Sequence, residues 1–393
     1  MVTLFKRPFR VLLLLLTASI VAPRAADAIP AFARRYQLPC HFCHDGYPLL
    51  SVLGEQFKER GYRLDDDATE VSDWLRSVPV SLRATLRQTF EEKGDAQTRG
   101  LLRLVSAGNL GSRVSYWIDD NYVLESEDTR RVGLDNAFLR VELVPDEIYV
   151  RGGRIELDLP FTQTRTAQLL RYEIYFANTG FETDNIGVHH DGLELGGFLD
   201  DTTRWSVSIV DANESEEQTA LLGGADTFDA NVFGRLMRRF GEGRAGMYLY
   251  WGRNTLARTI GQEILNWNDD LLRLGGDVSM YFGPAHVYGT FLYGRNSNSF
   301  ANLKNPDGTN EALSFSGGFA ELDFAISDEL VVTARAELVR GPPPGTADPA
   351  KSFFEFFPGL KIWLHPRVRL AFELGFANQH RPTRGAIHLE LVI

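Results

Sequence analysis

From Val80 to the end of the chain, apolar and polar residues alternate in segments of about ten to thirteen residues, and that constrains the fold more than any other feature. In the first segment Val80, Leu82, Ala84, Leu86 and Phe90 lie on one side, with Ser81, Arg83, Thr85, Arg87, Thr89 and Glu91 on the other. The last repeats the theme, setting Ile387, Leu389, Leu391 and Ile393 against His388 and Glu390. A period of two means strands, and two-faced strands of this length are the pattern of a transmembrane β-barrel. The pattern predicts sixteen strands, at 79–91, 98–109, 112–124, 132–144, 146–155, 187–199, 202–212, 228–240, 243–253, 270–282, 285–296, 312–326, 329–340, 351–364, 366–378 and 384–393.

The connections supply an independent argument. Leu110-Gly111, Pro145, Asp200-Asp201, Gly241-Glu242, Gly283-Pro284, Ser327-Asp328 and the neighbourhood of Pro366 are short. Those between them are generally longer, at 125–131, 156–186, 213–227, 254–269, 297–311 and 341–350. Short periplasmic turns and long external loops are the habit of outer-membrane barrels, and an even strand count leaves both termini on the periplasmic side. The alternative is a large soluble β-protein. The 156–186 connection carries Phe161, Arg165, Arg171, Tyr172 and Tyr175 and reads equally as an inward constriction or a surface loop.

The chain opens differently. Lys6, Arg7 and Arg10 precede the apolar run Val11 to Ala22, and Ala26-Asp27-Ala28 offers a small-x-small cleavage site. That order is a secretory signal peptide, so residues 1–28 are set apart from the fold. Removing its four basic residues and one acidic residue takes the formal charge from −11 to −14. An acidic exported chain is a poor partner for nucleic acid.

The only two cysteines lie in Pro39-Cys40-His41-Phe42-Cys43-His44-Asp45. C-x-x-C-H is the attachment signature of c-type haem: two thiols bond the porphyrin and the following histidine ligates the iron. One haem c on Cys40 and Cys43, with His44 as proximal ligand, is therefore expected. A tight Cys40–Cys43 disulfide is the alternative; a zinc site would need further ligands nearby. Residues 49–60 look helical up to Gly61, with Leu49, Leu50, Leu53 and Phe57 on one face, suited to covering a porphyrin. The expected organisation is a small α-helical c-type cytochrome module with an acidic linker over 29–76, then an all-β, sixteen-stranded antiparallel outer-membrane barrel over 77–393.

A sixth iron ligand is not evident. No histidine or methionine occurs between Asp45 and Gly187. The position could be open, held by water, by Lys58 or a tyrosine, or filled from the barrel. Strand parity sends His190, Met237 and His388 inward, and His189 and Met280 outward. Parity also places Arg83, Arg87, Arg103, Arg113, Arg140, Arg151 and Arg235 in a polar lumen, either as an anion-conducting ladder or a set of partners for haem propionates, or as ordinary charges paired with residues such as Glu91, Glu142 and Glu194.

Ile29-Pro30-Ala31-Phe32-Ala33-Arg34-Arg35, the C-x-x-C-H stretch, Pro48-Leu49-Leu50, Leu53-Gly54, Phe57-Lys58 and Gly61-Tyr62-Arg63-Leu64 together resemble the N-terminal module of the fused monohaem cytochrome–porins of iron-oxidising bacteria. Asp135-Asn136-Ala137-Phe138 to Arg151-Gly152-Gly153-Arg154 is faintly similar to phosphate-selective porins. The first resemblance implies an outer-membrane ferrous iron oxidase, with Fe(II) as donor and haem as carrier. A periplasmic c-type cytochrome would be the acceptor. The same architecture also suits outward electron transfer to an external acceptor, or a porin channel with a haem-bearing plug.

An outer-membrane apolar band is about 25 Å tall. A single haem held well below it could not reach an external donor, so the small module is expected to tuck into the barrel mouth or lumen.

Overall fold

The computed structural model describes residues 32, 36, 38, 40–44, 50–64, 80–92, 96–124, 129–162, 169–170, 172–176, 186–211, 230–260, 263–297, 312–341, 352–365, 367–378 and 383–392. The 1–28 leader, the 65–79 linker, Leu49, Arg165 and Arg171 lie outside them.

Sixteen strands close into one antiparallel barrel, each beside its sequence neighbour, with β1 paired to β16. They run β1 Val80–Glu91, β2 Gln97–Asn109, β3 Val114–Leu124, β4 Thr129–Val144, β5 Ile148–Glu156, β6 His189–Phe198, β7 Thr203–Asp211 and β8 Ala230–Phe240. The second half comprises β9 Gly243–Ile260, β10 Glu263–Phe282, β11 Ala285–Asn296, β12 Leu313–Ser327, β13 Leu330–Arg340, β14 Phe353–His365, β15 Val368–Ala377 and β16 Arg384–Val392. The closing ladder extends from Arg83↔Val392 to Glu91↔Arg384. Closure removes the edge strands that would otherwise template aggregation.

Which face is buried distinguishes a membrane barrel from a soluble one. Along β7, Ser206 and Ser208 are buried, while Val207 and Ile209 are 44% and 51% exposed. On β6, Glu194 is buried between exposed Leu193 and Leu195. Leu139, Leu249, Trp251 and Phe291 also point outward. A soluble sheet hides its aliphatics and shows its serines; here the order is reversed, as a hydrocarbon surround requires. No described helix is long and apolar enough to cross a membrane; the strands do the crossing.

All sixteen strands fall where the alternation predicts, with one substantial difference. The expected 254–269 loop is largely strand, because β9 and β10 stay paired to Ile260↔Glu263. That outer hairpin has no strict apolar–polar alternation, so the period-two signal fades although the ladder continues. Arg113 is not a lumen residue either: it is exposed in the turn between β2 and β3.

The short turns gather at one end. In the β6–β7 turn, Asp200 accepts from Thr202 N, Thr202 Oγ1 and Thr203 N at 2.8, 2.6 and 2.9 Å. These bonds favour the carboxylate and hold its pKa down at about 2. With the folded pKa depressed, the turn keeps this support at neutral pH and loses it as pH falls toward 2. A pH titration of the Asp200 carboxyl resonance, with Asp200→Asn as control, checks this.

The described residues of the 156–186 connection (156–162, 169–170, 172–176 and 186) turn inward rather than lying on the surface. Leu157, Leu159, Phe161, Tyr172, Ile174 and Tyr175 are buried. Leu169 N and Leu170 N donate to Glu373 at 2.6 and 3.3 Å, and Ile174 N donates to Glu337 at 2.7 Å. At the near wall Arg235 donates to the Asp158 carbonyl at 2.6 Å. The segment thus reaches from β5 across the lumen to β13 and β15. Its aromatic rings meet those of the wall, Tyr172 on Phe319 at 4.2 Å and Phe161 on Tyr288 at 4.6 Å.

Candidate functional site

The C-x-x-C stretch forms one helical turn, α1 (Cys40–Cys43), and His44 follows it, 8% exposed and bridged to Leu50 through the backbone. Cys43 is a free, half-buried thiol. Burial pushes that thiol up, so it is held neutral and is not poised as an activated thiolate.

Helix α2 (Val52–Glu59) comes next, shorter at its start than the expected 49–60. Ser51 sets the start, its side chain accepting from Gly54 N, while its own N–H donates to the Cys43 carbonyl at 3.0 Å. Gly54 lets α2 lie directly on α1: a Cβ there would overlap the Cys43 carbonyl. Gly61, at φ +69°, ends the helix, with Tyr62 N donating to the Phe57 carbonyl at 2.8 Å.

The sequence after the C-x-x-C-H therefore builds a small, tightly tied unit, and that unit sits in the short-turn end of the lumen. On one side, Asn109 Nδ2 donates to the Tyr62 carbonyl at 3.1 Å, and the Tyr62 ring lies 5.3 Å from that of Trp117. Phe57 joins Phe32 and Tyr62 in the same aromatic cluster, with ring centroids 5.0 and 6.0 Å away. Its side chain is thus committed to this cluster, not free along an open apolar face.

On the other side, two carboxylates of α2 meet three arginines of the wall. Glu59 takes both amines of Arg239 on β8, at 2.7 and 2.9 Å, with Arg204 on β7 at 3.7 Å. Glu55 pairs with Arg244 on β9 at 2.7 Å and Arg239 at 3.5 Å. A helix of eight residues is about 12 Å long. Here it bridges β2–β4 and β7–β9. Gly61 faces Ser115, where a Cβ would come within 3.2 Å of the hydroxyl oxygen and 3.3 Å of a Glu142 carboxylate oxygen. Gly61→Val is expected to cost about 1–3 kcal/mol through the left-handed backbone alone. The readout is faster protease cleavage within 29–64 while the barrel resists.

Between this unit, the wall and the inturned segment lies a cavity of about 850 Å³, including space open to solvent. Leu50, Lys58 and Tyr62 line it from the module, Phe138, Tyr149 and Met237 from the strands, and Asp158 to Phe161 from the inturned segment. The C-x-x-C-H turn itself suits a covalent haem, with a buried histidine after it and a glycine permitting close helix contact, but neither Cys43 nor His44 lines the cavity, whose walls are mostly charged.

The proposed sixth-ligand residues separate. Met237 is 2% exposed and lines the cavity. His190 is buried at the long-loop end, its Nδ1 3.2 Å from the Asp211 carbonyl, and His388 sits on β16 against Glu390 at 3.1 Å. Neither lines the cavity. His189 does not face lipid alone, since it reaches Asn136 at 3.1 Å. His286, which parity also sends inward, lies 2.7 Å from Ser279 and stacks on Tyr281.

Five of the arginines predicted for the lumen are paired with acids. Arg140 meets Glu142 at 2.7 Å, Arg151 meets Glu194 at 2.7 Å, Arg83 meets Glu390 at 2.6 Å and Arg235 meets Asp277 at 3.0 Å. Arg103 pairs with Asp119. Glu91, expected as a partner, is exposed instead. The Glu55–Glu59 clamp left no trace in the sequence, because Arg239 is 180 residues from Glu59 and nothing local marks the pair.

No protein-family model matches the chain, and no curated protein matches it. The fold is shared with outer-membrane porins of known structure. OmpT of Vibrio cholerae in its trimer form superposes with a TM-score of 0.56 at 11% identity, over 80% of this chain and 98% of that one. An anion-selective porin from Comamonas acidovorans gives 0.55 at 13% identity, over 80% and 99%. OmpF of Salmonella typhi, solved with daunomycin, gives 0.56 at 10%, over 80% and 97%. At such identities the likeness establishes the architecture: a sixteen-stranded barrel of the outer-membrane porin type.

Proposed function

We propose that this chain is an outer-membrane electron conduit that oxidises extracellular Fe(II) at one haem c and passes the electrons to a periplasmic c-type cytochrome. The observation that carries this reading is the docking of the segment behind Cys40-His41-Phe42-Cys43-His44 inside the lumen, against a cavity bounded by the wall. A redox centre held there lies within the barrel, so a donor outside and an acceptor inside each face a shortened gap. The likeness of 29–64 to the fused monohaem cytochrome–porins supports the same assignment.

Bound haem c supplies a one-electron carrier whose potential depends on its axial ligands and surroundings. The chain does the rest. Cys40 and Cys43 give the covalent anchor, and His44 the proximal nitrogen. Helix α2 fixes the anchor through Gly54 and Ser51, and Glu55 and Glu59 hold α2 to the wall. The barrel keeps lipid from the site.

A second reading, a solute channel plugged by the N-terminal segment, is favoured by the porin fold itself. One similar structure is an anion-selective porin, yet five of the predicted lumen arginines here are matched with carboxylates, which lowers the net field an anion would feel.

The test is the optical spectrum of the purified, detergent-solubilised protein as Fe(II) is added without oxygen. Reduced c-type bands should appear promptly, and not in Cys43→Ala. A covalent haem that stays oxidised under Fe(II) would overturn the iron reading, and the absence of covalent haem would overturn the conduit altogether.

A further inference from the structure

We infer that the cavity between the module, the wall and Asp158 to Phe161 is a binding site for a small, doubly charged oxyanion, held chiefly by Arg140 and Arg151. The inference does not depend on the haem. Lys58, Arg140, Arg151, Arg204, Arg235 and Arg244 line the cavity against Glu55, Glu59, Asp158 and Glu194, which leaves the lining two positive charges in excess. Glu142 and Asp277, the partners of Arg140 and Arg235, are not part of it.

Arg140 on β4 and Arg151 on β5 stand directly opposite each other across the ladder. Residues so placed have Cβ atoms about 4.5–5.5 Å apart, and like charges there destabilise the sheet. Each arginine has a carboxylate of its own. Glu142 takes Nε and Nη2 of Arg140 at 2.9 and 2.7 Å. Glu194 takes Nη2 of Arg151 at 2.7 Å and also accepts from Tyr149 and Ser208. Among the described residues, no hydrogen bond uses Nη1 of either arginine. Two guanidinium groups side by side, each with donors to spare, match the oxygens of a tetrahedral oxyanion or a carboxylate. One anion between them turns the repulsion into a bridge.

Packing holds both groups ready. Arg140 lies 3.7 Å from the centre of the Tyr149 ring, and Arg151 lies 4.9 Å from that of Phe138. The other wall arginines are engaged more fully and supply field rather than contacts. Arg204 meets Asp158 at 2.8 Å and Tyr149 at 3.2 Å, and Arg244 meets Glu55 at 2.7 Å and the Pro160 carbonyl at 3.4 Å. Arg235 holds Asp277 and the Asp158 carbonyl. From the module, Lys58 lines the same cavity, and a Cβ on Gly61 would come within 3.5 Å of Arg140 Nε. An anion at this place therefore touches wall and module together, and one that binds only the docked form stabilises docking.

The experiment is isothermal titration calorimetry of sodium sulfate, and separately sodium malonate, into the full-length, detergent-solubilised protein. Sodium chloride holds the ionic strength constant. A saturable single site is expected for at least one of them, sulfate marking a tetrahedral occupant and malonate a carboxylate. The bound anion should also slow protease cleavage within 29–64. Arg151→Gln combined with Glu194→Gln removes one guanidinium without stranding its carboxylate, and should weaken binding about tenfold. Lys58→Gln leaves the wall intact and should weaken binding and lose most of the protection. Sulfate's general stabilising effect as a salt would persist in that variant. Arg253→Gln, at the exposed pair with Asp270, should match wild type. The proposal is overturned if neither anion binds the wild-type protein, or if binding is unchanged in both the double variant and Lys58→Gln. It is equally overturned if chloride alone gives the same protection, which would be ordinary screening.

Discussion

Cys43→Ala is expected to remove Fe(II)-dependent haem reduction to background while leaving the barrel folded. The strands close through β1 and β16 without help from α1, so the loss should fall on the cofactor alone. Double replacement of Cys40 and Cys43 should abolish covalent haem, read as the mass of the denatured chain. His44→Ala should keep the thioether links but lose the proximal nitrogen, giving a stained polypeptide with an altered ferrous spectrum. Retained heat-modifiable mobility in all three variants would show that the barrel remains. A collapse of the barrel in Cys43→Ala would mean that the attachment turn is part of the folding core.

The second large effect is expected at the clamp. Glu59 and Arg239 are both nearly buried and joined by two short bonds, with Arg204 close by. Removing one partner of such a pair leaves buried cations uncompensated and costs about 3–5 kcal/mol. At roughly tenfold per 1.4 kcal/mol, that shifts docking of the module by about two to four orders of magnitude. Glu59→Ala, strengthened by Glu55→Ala, should therefore release α2 from the lumen. Single-channel recording in a planar bilayer checks it: the double variant should show larger and more frequent open levels than wild type. Arg239→Ala should behave similarly, since it strips both carboxylates of a partner.

Most of the barrel was legible because its signal is local. Two-faced strands of sufficient length can be read a few residues at a time, and Ser206-Val207-Ser208-Ile209 carries its orientation in four letters. The C-x-x-C-H stretch could be picked out for the same reason, as three residues within five positions. What was not legible depends on distance along the chain. Leu169 and Ile174 are anchored inside the lumen to Glu373 and Glu337, and no short window joins those residues. The same holds for Glu59 with Arg239.

The β9–β10 hairpin failed differently. Beyond the apolar band a strand has no need to show lipid and lumen different faces, so its period disappears while its hydrogen bonds persist. Parity brought His190, Met237 and His388 inward together, because it fixes a face but not a height or an azimuth. Only the closed ladder separates Met237 at the cavity from the two histidines.

The central claim is that electrons cross the membrane through a centre held in this lumen. The most direct measurement uses phospholipid vesicles carrying the protein, with an oxidised soluble c-type cytochrome trapped inside and an Fe(II) chelate too bulky for the barrel outside. Wild-type vesicles should reduce the trapped cytochrome, and Cys43→Ala vesicles should not. A trapped cytochrome that stays oxidised, while the protein's own haem is loaded and the external Fe(II) is intact, would contradict it.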